Sequence, residues 1–300
     1  MRISSVIPAI GLGVLAFAGV LAITSGAGPG LDPDSMSYLH AAGTLVHGRG
    51  LRDIDRDWRS ADSTMPLAHW PPGYPVAIAG AERAGLGAVQ GARLIGALAE
   101  LVTIATIVWL VAGVVGIGAG VIAGLLVMVT PSVVQVQESV LSEPLFIALL
   151  VLTLAAMVRA MDRPIVSGAL AGVASVVRYA GISLVGGVVL WQLARAGTIR
   201  QRITRAVEAA LPAIVLQGVW VLRTVHSAGR SSIREVSIYG QLSYTLHEGW
   251  QTTSAWLVPG MGELWGVFVG VGVAALLAIA IRESRPLRAR LSAPVAAALL

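Results

Sequence analysis

Apolar residues run along this chain in long blocks separated by short polar turns, and one connection breaks that rhythm. The first block is Val6–Ala27, and mixed residues follow over 28–87 before the next begins. Later blocks are Ala88–Val115, Ile117–Val133, Leu145–Met161, Val166–Val177, Gly181–Leu193, Ala206–Leu222 and Leu264–Ile281. A helix rises about 1.5 Å per residue, so crossing about 30 Å of hydrocarbon takes roughly 20 apolar residues. The pattern predicts an all-α polytopic membrane protein of about eight transmembrane or half-membrane helices. Val166–Val177 would reach only about 18 Å, and Gly181–Leu193 little more. These two predict a hairpin that goes part-way, or a helix pair beside a wet cavity, with Arg178 at the tip in "VVRYAG". Val6–Ala27 reads as a signal anchor, with "SGAG" leaving cleavage open. After "RESRPLRAR" the sequence stops inside "APVAAALL", which predicts a further span cut short. The expected organisation is one membrane domain over 1–300: an extracytoplasmic loop at 28–87 with interfacial helices, a bundle over 88–281, and a cytoplasmic turn over 282–300 that starts the next span.

The long loop has its own periodicity. In "DPDSMSYLHAAGTLVHGRG", Tyr38, Ala41, Ala42, Leu45 and Val46 recur at threes and fours, predicting one helix face. Asp34 or Ser35 is the expected N-cap, with an acid favoured at the positive end. "LRDIDRDWRSADS" mixes signs densely and predicts a solvated loop. In "AHWPPGYPVAIAGAERAG", Pro71 and Pro72 fix extended backbone, Gly73 allows a sharp turn, and Pro75 suits a first helical turn. His69, Trp70 and Tyr74 then form either an aromatic belt at the interface or a wall for a sugar ring. "VTPSVVQVQESVLSEPLFIALL" places Glu138 and Glu143 just before a span, Glu143 at a helix N-terminus. Arg93 and Glu100 lie about two turns apart, so they share a face inside one block, as a functional pair or as buried structural partners.

Composition narrows the class. The 300 residues are 56% hydrophobic and 12% charged, where a soluble domain carries about 25% charged residues. Cysteine is absent, which excludes disulfides, thiol nucleophiles and thiolate metal sites. All 21 basic residues are arginine, and the chain has neither Lys nor Asn, pointing to a GC-rich bacterial genome and excluding N-glycosylation. The arginines are scattered over turns and form no basic patch, so a nucleic-acid partner is not expected. With Arg2 cytoplasmic, the cytoplasmic turns hold Arg159 and Arg163, then Arg195, Arg200, Arg202 and Arg205, then Arg282, Arg285, Arg288 and Arg290. The opposite face receives 28–87, 134–144, the Arg178 turn and 223–263, with most of the acids. This predicts a multi-pass protein of the bacterial inner membrane with its polar site facing outside. "GVVGIGAGVIAG" has no strand before it and reads as small-residue helix packing.

Four stretches, "DPDSMSYLHAAGTLVHGRG", "HWPPGYPVAIAG", "ESVLSEPLFIALL" and "VRYAG", in this order among these spans, resemble bacterial membrane glycosyltransferases of the GT-C superfamily, of the protein O-mannosyltransferase and lipid A aminoarabinose transferase types. The resemblance covers roughly 1–193. It implies a GT-C-like fold whose first outer loop forms helices over an outer-leaflet cavity. It also implies a polyprenyl-phosphate-linked sugar donor, a membrane-lipid setting and a place in the cell envelope. Asp34 and Tyr38 match the family's acidic motif ahead of a Tyr, with Ser35 standing where a second acid is common. Glu143 matches the later acid, and Arg178, beside Tyr179, a basic position. On this basis Asp34 and Glu143 are the expected catalytic residues. Tyr38, His69, Trp70, Tyr74, Arg178 and Tyr179 are the expected substrate contacts. Asp34 would act as general base and Arg178 as phosphate contact. Glu143 would orient the acceptor or join a metal site for a divalent cation, which takes oxygen ligands. The rival class is a transporter or flippase for a lipid-linked sugar, with Arg93, Glu100 and Arg178 as its pathway.

Overall fold

Eighteen residues of the opening apolar block form helix α1 (Val6–Ile23) in a computed structural model that describes residues 5–54, 64–160, 162–229 and 242–257. The chain divides into two compact units, one of Met1–Leu193 with Thr198–Arg234 and one of Ala194–Gly197 with Glu235–Leu300. In the second unit the described helix is α11 (Leu242–Leu257).

The outer loop of the first unit begins with α2 (Pro33–Val46), continues through a short antiparallel hairpin of β1 (Arg52–Ile54) and β2 (Thr64–Pro66), and ends in α3 (Gly73–Arg83). The stretch expected as a solvated loop thus supplies a strand; its remainder, 55–63, lies outside the described residues. The bundle follows as α4 (Ala88–Val114), α5 (Ile117–Met128), α6 (Pro131–Gln137), α7 (Glu143–Arg159), α8 (Pro164–Val177), α9 (Gly181–Ala194) and α10 (Ile199–Ala228). Among the described residues three helices, α1, α4 and α10, are long and apolar enough to cross a membrane. The fold is an all-α polytopic membrane protein.

One expectation about the spans is corrected. Ile117–Val133 is not one straight helix: the chain breaks between α5 and α6 and turns by 60°. Pro131 causes the break, because it cannot donate to the preceding turn and clashes with it, so a new helix starts there. Counting that pair as one span gives four among the described residues, alongside the shorter apolar helices α8 and α9. The Leu264–Ile281 block and the 282–300 turn lie outside the described residues.

Helix α8 is the central strut. It packs between α7 and α10. Gly168 and Gly172, one turn apart, face the α10 backbone: a Cβ on Gly168 would stand 2.1 Å from the Ala209 carbonyl oxygen. This small-xxx-small seam lets two backbones touch where lipid supplies no hydrophobic drive. Short as it is, α8 therefore stands firmly, and it carries Arg178 at its C-terminus. A second core forms where α2 and α3 meet α4, around Tyr38, Ala42, Tyr74, Ile78, Ala79, Ala92 and Val140. That core holds the outer loop on the bundle.

Candidate functional site

The loop that carries Asp34 and the link that carries Glu143 are stitched together by main chain. Gly30 N–H donates to the Glu138 carbonyl at 2.7 Å, and Val140 N–H donates back to the Gly30 carbonyl at 2.9 Å. Helix α2 is capped by Asp32, not by Asp34 or Ser35 as expected. Pro33 takes the first helical position, which suits a residue with no N–H to satisfy. Ser35 completes the capping box: its Oγ accepts from Asp32 N–H at 3.0 Å and donates to the Val140 carbonyl at 2.8 Å. Capping is thus performed by a neighbour, and Asp34 is left half-buried in the first turn with no hydrogen bond among the described residues.

Around the Tyr38 hydroxyl the charged groups converge. Arg178 Nη1 lies 2.7 Å from Glu143 Oε1 and donates to Ser142 Oγ at 3.0 Å. Ser142, fully buried, also meets the Tyr38 hydroxyl at 3.3 Å. Four residues from α2, α7 and the α8 terminus thus form one chain: Tyr38, Ser142, Arg178, Glu143. Glu143 occupies the first position of α7, where the helix dipole favours a carboxylate. Its second oxygen, Oε2, is buried without a partner. Arg178 keeps Nε and Nη2 free of partners among the described residues. Burial pushes the Tyr38 hydroxyl up to about 12; its hydrogen bond with Ser142 and the Arg178 charge pull it down, and Asp34 and Glu143 push it up. One buried hydroxyl thus senses all three charged candidates.

The aromatic candidates divide by exposure. Tyr38 and Tyr74 are each 1% exposed, and their rings meet edge-on at 5.2 Å. Burial, then the neighbouring Tyr38 and Glu143, raise the Tyr74 hydroxyl further still. Both rings face protein. Trp70 is half-buried, packs edge-on to Tyr38 at 5.6 Å and leaves a buried, unpartnered Nε1–H. His69 is exposed and lies edge-on to Trp70 at 4.7 Å. Tyr179 is half-buried and its hydroxyl donates to the Ala68 carbonyl at 3.4 Å. Trp220 Nε1–H donates to that same hydroxyl at 3.1 Å. Gly73 was expected to permit a turn; instead it opens α3 within reach of α8, where a Cβ would stand 2.6 Å from the Val176 carbonyl oxygen.

Sequence reading missed three members of this region: Ser142, Trp220 and Arg223. Trp220 and Arg223, three apart near the C-terminal end of a span, gave a face signal that was available. Arg93 and Glu100 do not pair with each other. Arg93 Nε donates to Thr24 Oγ1 at 2.8 Å and Nη2 to the Leu21 carbonyl at 2.5 Å, fastening the end of α1. Glu100 accepts from Gln137 Nε2 at 2.7 Å. Of the acids of the site, Glu143 has one oxygen, Oε1, taken up by the Arg178 guanidinium. Among the described residues no group of three His, Asp or Glu stands together.

No curated protein and no solved structure matches the chain. A family model does, that of dolichyl-phosphate-mannose-protein mannosyltransferase, over residues 70–221. The match takes in Trp70, Tyr74, Glu143, Arg178, Tyr179 and Trp220, and it extends beyond the 1–193 expected from motif order while starting after Asp34 and Tyr38. Helical spans, a polar cluster where α7 begins and α8 ends, and a match over more than half the chain agree: it belongs to the dolichyl-phosphate-mannose-protein mannosyltransferase family, membrane glycosyltransferases of the GT-C superfamily.

Proposed function

We propose that the protein transfers a sugar from a polyprenyl-phosphate-linked donor to an acceptor hydroxyl on the extracytoplasmic face of a bacterial cell membrane. The observation that carries this reading is the Glu143–Arg178 pair, a fixed ion pair with unused hydrogen-bonding capacity on both partners. Arg178 offers Nε and Nη2 to the phosphate as its charge grows on departure. Glu143 Oε2 accepts from a hydroxyl of the acceptor and orients it. Asp34, unbonded and half-buried, takes the acceptor proton. As the acceptor oxygen bonds to the anomeric carbon, the bond from that carbon to the phosphate oxygen breaks, and the proton moves to Asp34. Trp70, His69 and Tyr179 line the approach of the sugar ring. Tyr38 and Tyr74, being interior, hold α2 and α3 in register for those groups. The outward orientation is supported by arginines at the opposite turns, where Arg159 stacks on Trp109 at 4.7 Å.

The test is transfer of labelled sugar from a polyprenyl-phosphate donor by the purified full chain in vesicles. Asp34→Asn is expected to slow transfer by about 10²–10⁴-fold, the usual worth of a general base. Asp34→Asn at the parental rate overturns the assignment of the base, and parental protein that carries labelled lipid across the vesicle without transferring sugar overturns the reading.

A further inference from the structure

The outer hairpin is too small to stand alone. Its strands are three residues each, and isolated two-stranded hairpins are marginal in water even when longer. Something outside must fasten its base, and α10 does. Arg223 donates from Nη1 to the Leu67 carbonyl and from Nη2 to the Leu51 carbonyl. Those two residues flank the hairpin and are themselves joined, Leu67 N–H to the Leu51 carbonyl at 3.0 Å. Leu67 is wholly buried in a small core with Ala41 and Trp220. The Arg223 guanidinium also lies 5.1 Å from the Trp220 ring centroid. Arg223 forms no ion pair among the described residues, so its donors go to backbone.

One turn earlier, Trp220 donates to the Tyr179 hydroxyl, which donates to the Ala68 carbonyl. Two side chains of α10 thus fix Leu51, Leu67, Ala68 and Tyr179. His69 and Trp70 come directly after Ala68, and Arg178 directly before Tyr179. We infer that Arg223, with Trp220, latches the base of the outer hairpin to α10 and is a positioning residue for sugar transfer, setting His69–Trp70 and Arg178–Tyr179 relative to Glu143. The inference rests on the transfer reading above. A planar fork is required: guanidinium reaches two carbonyls at once, whereas an ammonium is a point donor.

Because the chain has no cysteine, distance probes can be placed without background. Spin labels go on Met65→Cys and Val219→Cys, both at exposed positions, in the full chain in nanodiscs. Parental protein gives one narrow distance distribution. Arg223→Ala broadens it, Arg223→Lys broadens it less, and Trp220→Phe, which keeps the ring and drops the donor, gives an intermediate result. In the transfer assay Arg223→Ala lowers kcat by about 10–10²-fold, the scale of a small misplacement, with the donor KM within about twofold of parent. Added guanidinium ion restores part of the kcat. A distribution that stays narrow in Arg223→Ala overturns the latch. A broadened distribution with parental kcat overturns the positioning role. A parental chain that transfers no sugar overturns the transfer reading and with it the claim on the reaction, while the distance arm, which needs no activity, still decides the latch.

Discussion

Glu100 and Glu143 are both carboxylates at bundle helices, and they are treated differently. Glu100, in mid-span on α4, is 3% exposed and bonds the neutral amide of Gln137 on α6. With Gln137 it forms the polar part of a groove of about 260 Å³ lined for the rest by apolar residues of α1, α5 and α6, Leu15, Val20, Met128 and Val134 among them. Glu143, where α7 begins, bonds a cation and keeps a second oxygen unpaired, with more than a quarter of its side chain exposed. The first arrangement joins two helices through one hydrogen bond and leaves the Gln137 amide oxygen, Oε1, without a partner. The second joins α2, α7 and the end of α8 and leaves donors of a cation unused beside an unpaired carboxylate oxygen. A polar group in a membrane protein is therefore not diagnostic by depth or by one unpaired atom; what distinguishes the second cluster is opposite charges that both keep hydrogen-bonding capacity.

The sharpest way to break this comparison is to neutralise each acid. Glu143→Gln should cost about 10²-fold in transfer, because Arg178 loses the charge that fixes its guanidinium. Glu100→Gln should leave the transfer rate near parental. Equal losses would erase the distinction. Stability should run the other way. Glu100→Ala strands the Gln137 amide and should cost about 0.6–2 kcal/mol, the range for interhelical hydrogen bonds in membranes. A double-mutant cycle of Glu100→Ala with Gln137→Ala measured by thermal unfolding reads the coupling, and zero coupling would remove the structural role. Glu143→Gln should cost less than about 1 kcal/mol, as part-exposed ion pairs do.

The next test is smaller and uses pH. The Tyr38 hydroxyl is held up at about 12, from an ordinary 10.0. The folded state thus holds its proton longer, so stability is complete below pH 10 and falls as pH rises through the interval to about 12. Tyr38→Phe should flatten that slope and cost less than about 1 kcal/mol at neutral pH, the hydroxyl contact being long. His40 on α2 gives the smallest effect, with the opposite sign. Burial lowers its ring below 6.5, Asp53 opposing and Arg49 and Arg52 adding to the shift. Stability is complete above 6.5 and declines as pH falls below it. A flatter acid limb in His40→Gln, followed by unfolding from pH 7 to 5, would confirm the source.

Much of the fold was legible because burial writes periodicity into sequence. The α2 face was readable from Tyr38, Ala41 and Ala42, all of which are buried. The helix start was not, since "DPDS" offers three possible caps and only Pro33 at the first position discriminates. The α5–α6 break was marked by Pro131 but masked by apolar residues on both sides. In the site, Glu143 and Arg178 were each visible at the end of an apolar block, but their pairing was not, for no local pattern couples residues on different helices. Ser142 was invisible for a plainer reason: a serine ahead of a helix is usually a cap, and here its hydroxyl is turned between Tyr38 and Arg178.

The stitch between Gly30 and the Glu138–Val140 segment is made of backbone atoms alone. The separation of Asp34 from Glu143 is consequently indifferent to most side-chain drift nearby. Descendants of this sequence could exchange neighbouring residues freely while inheriting the same gap between the two acids, whereas a single inserted residue in either strand of the stitch would alter it at once.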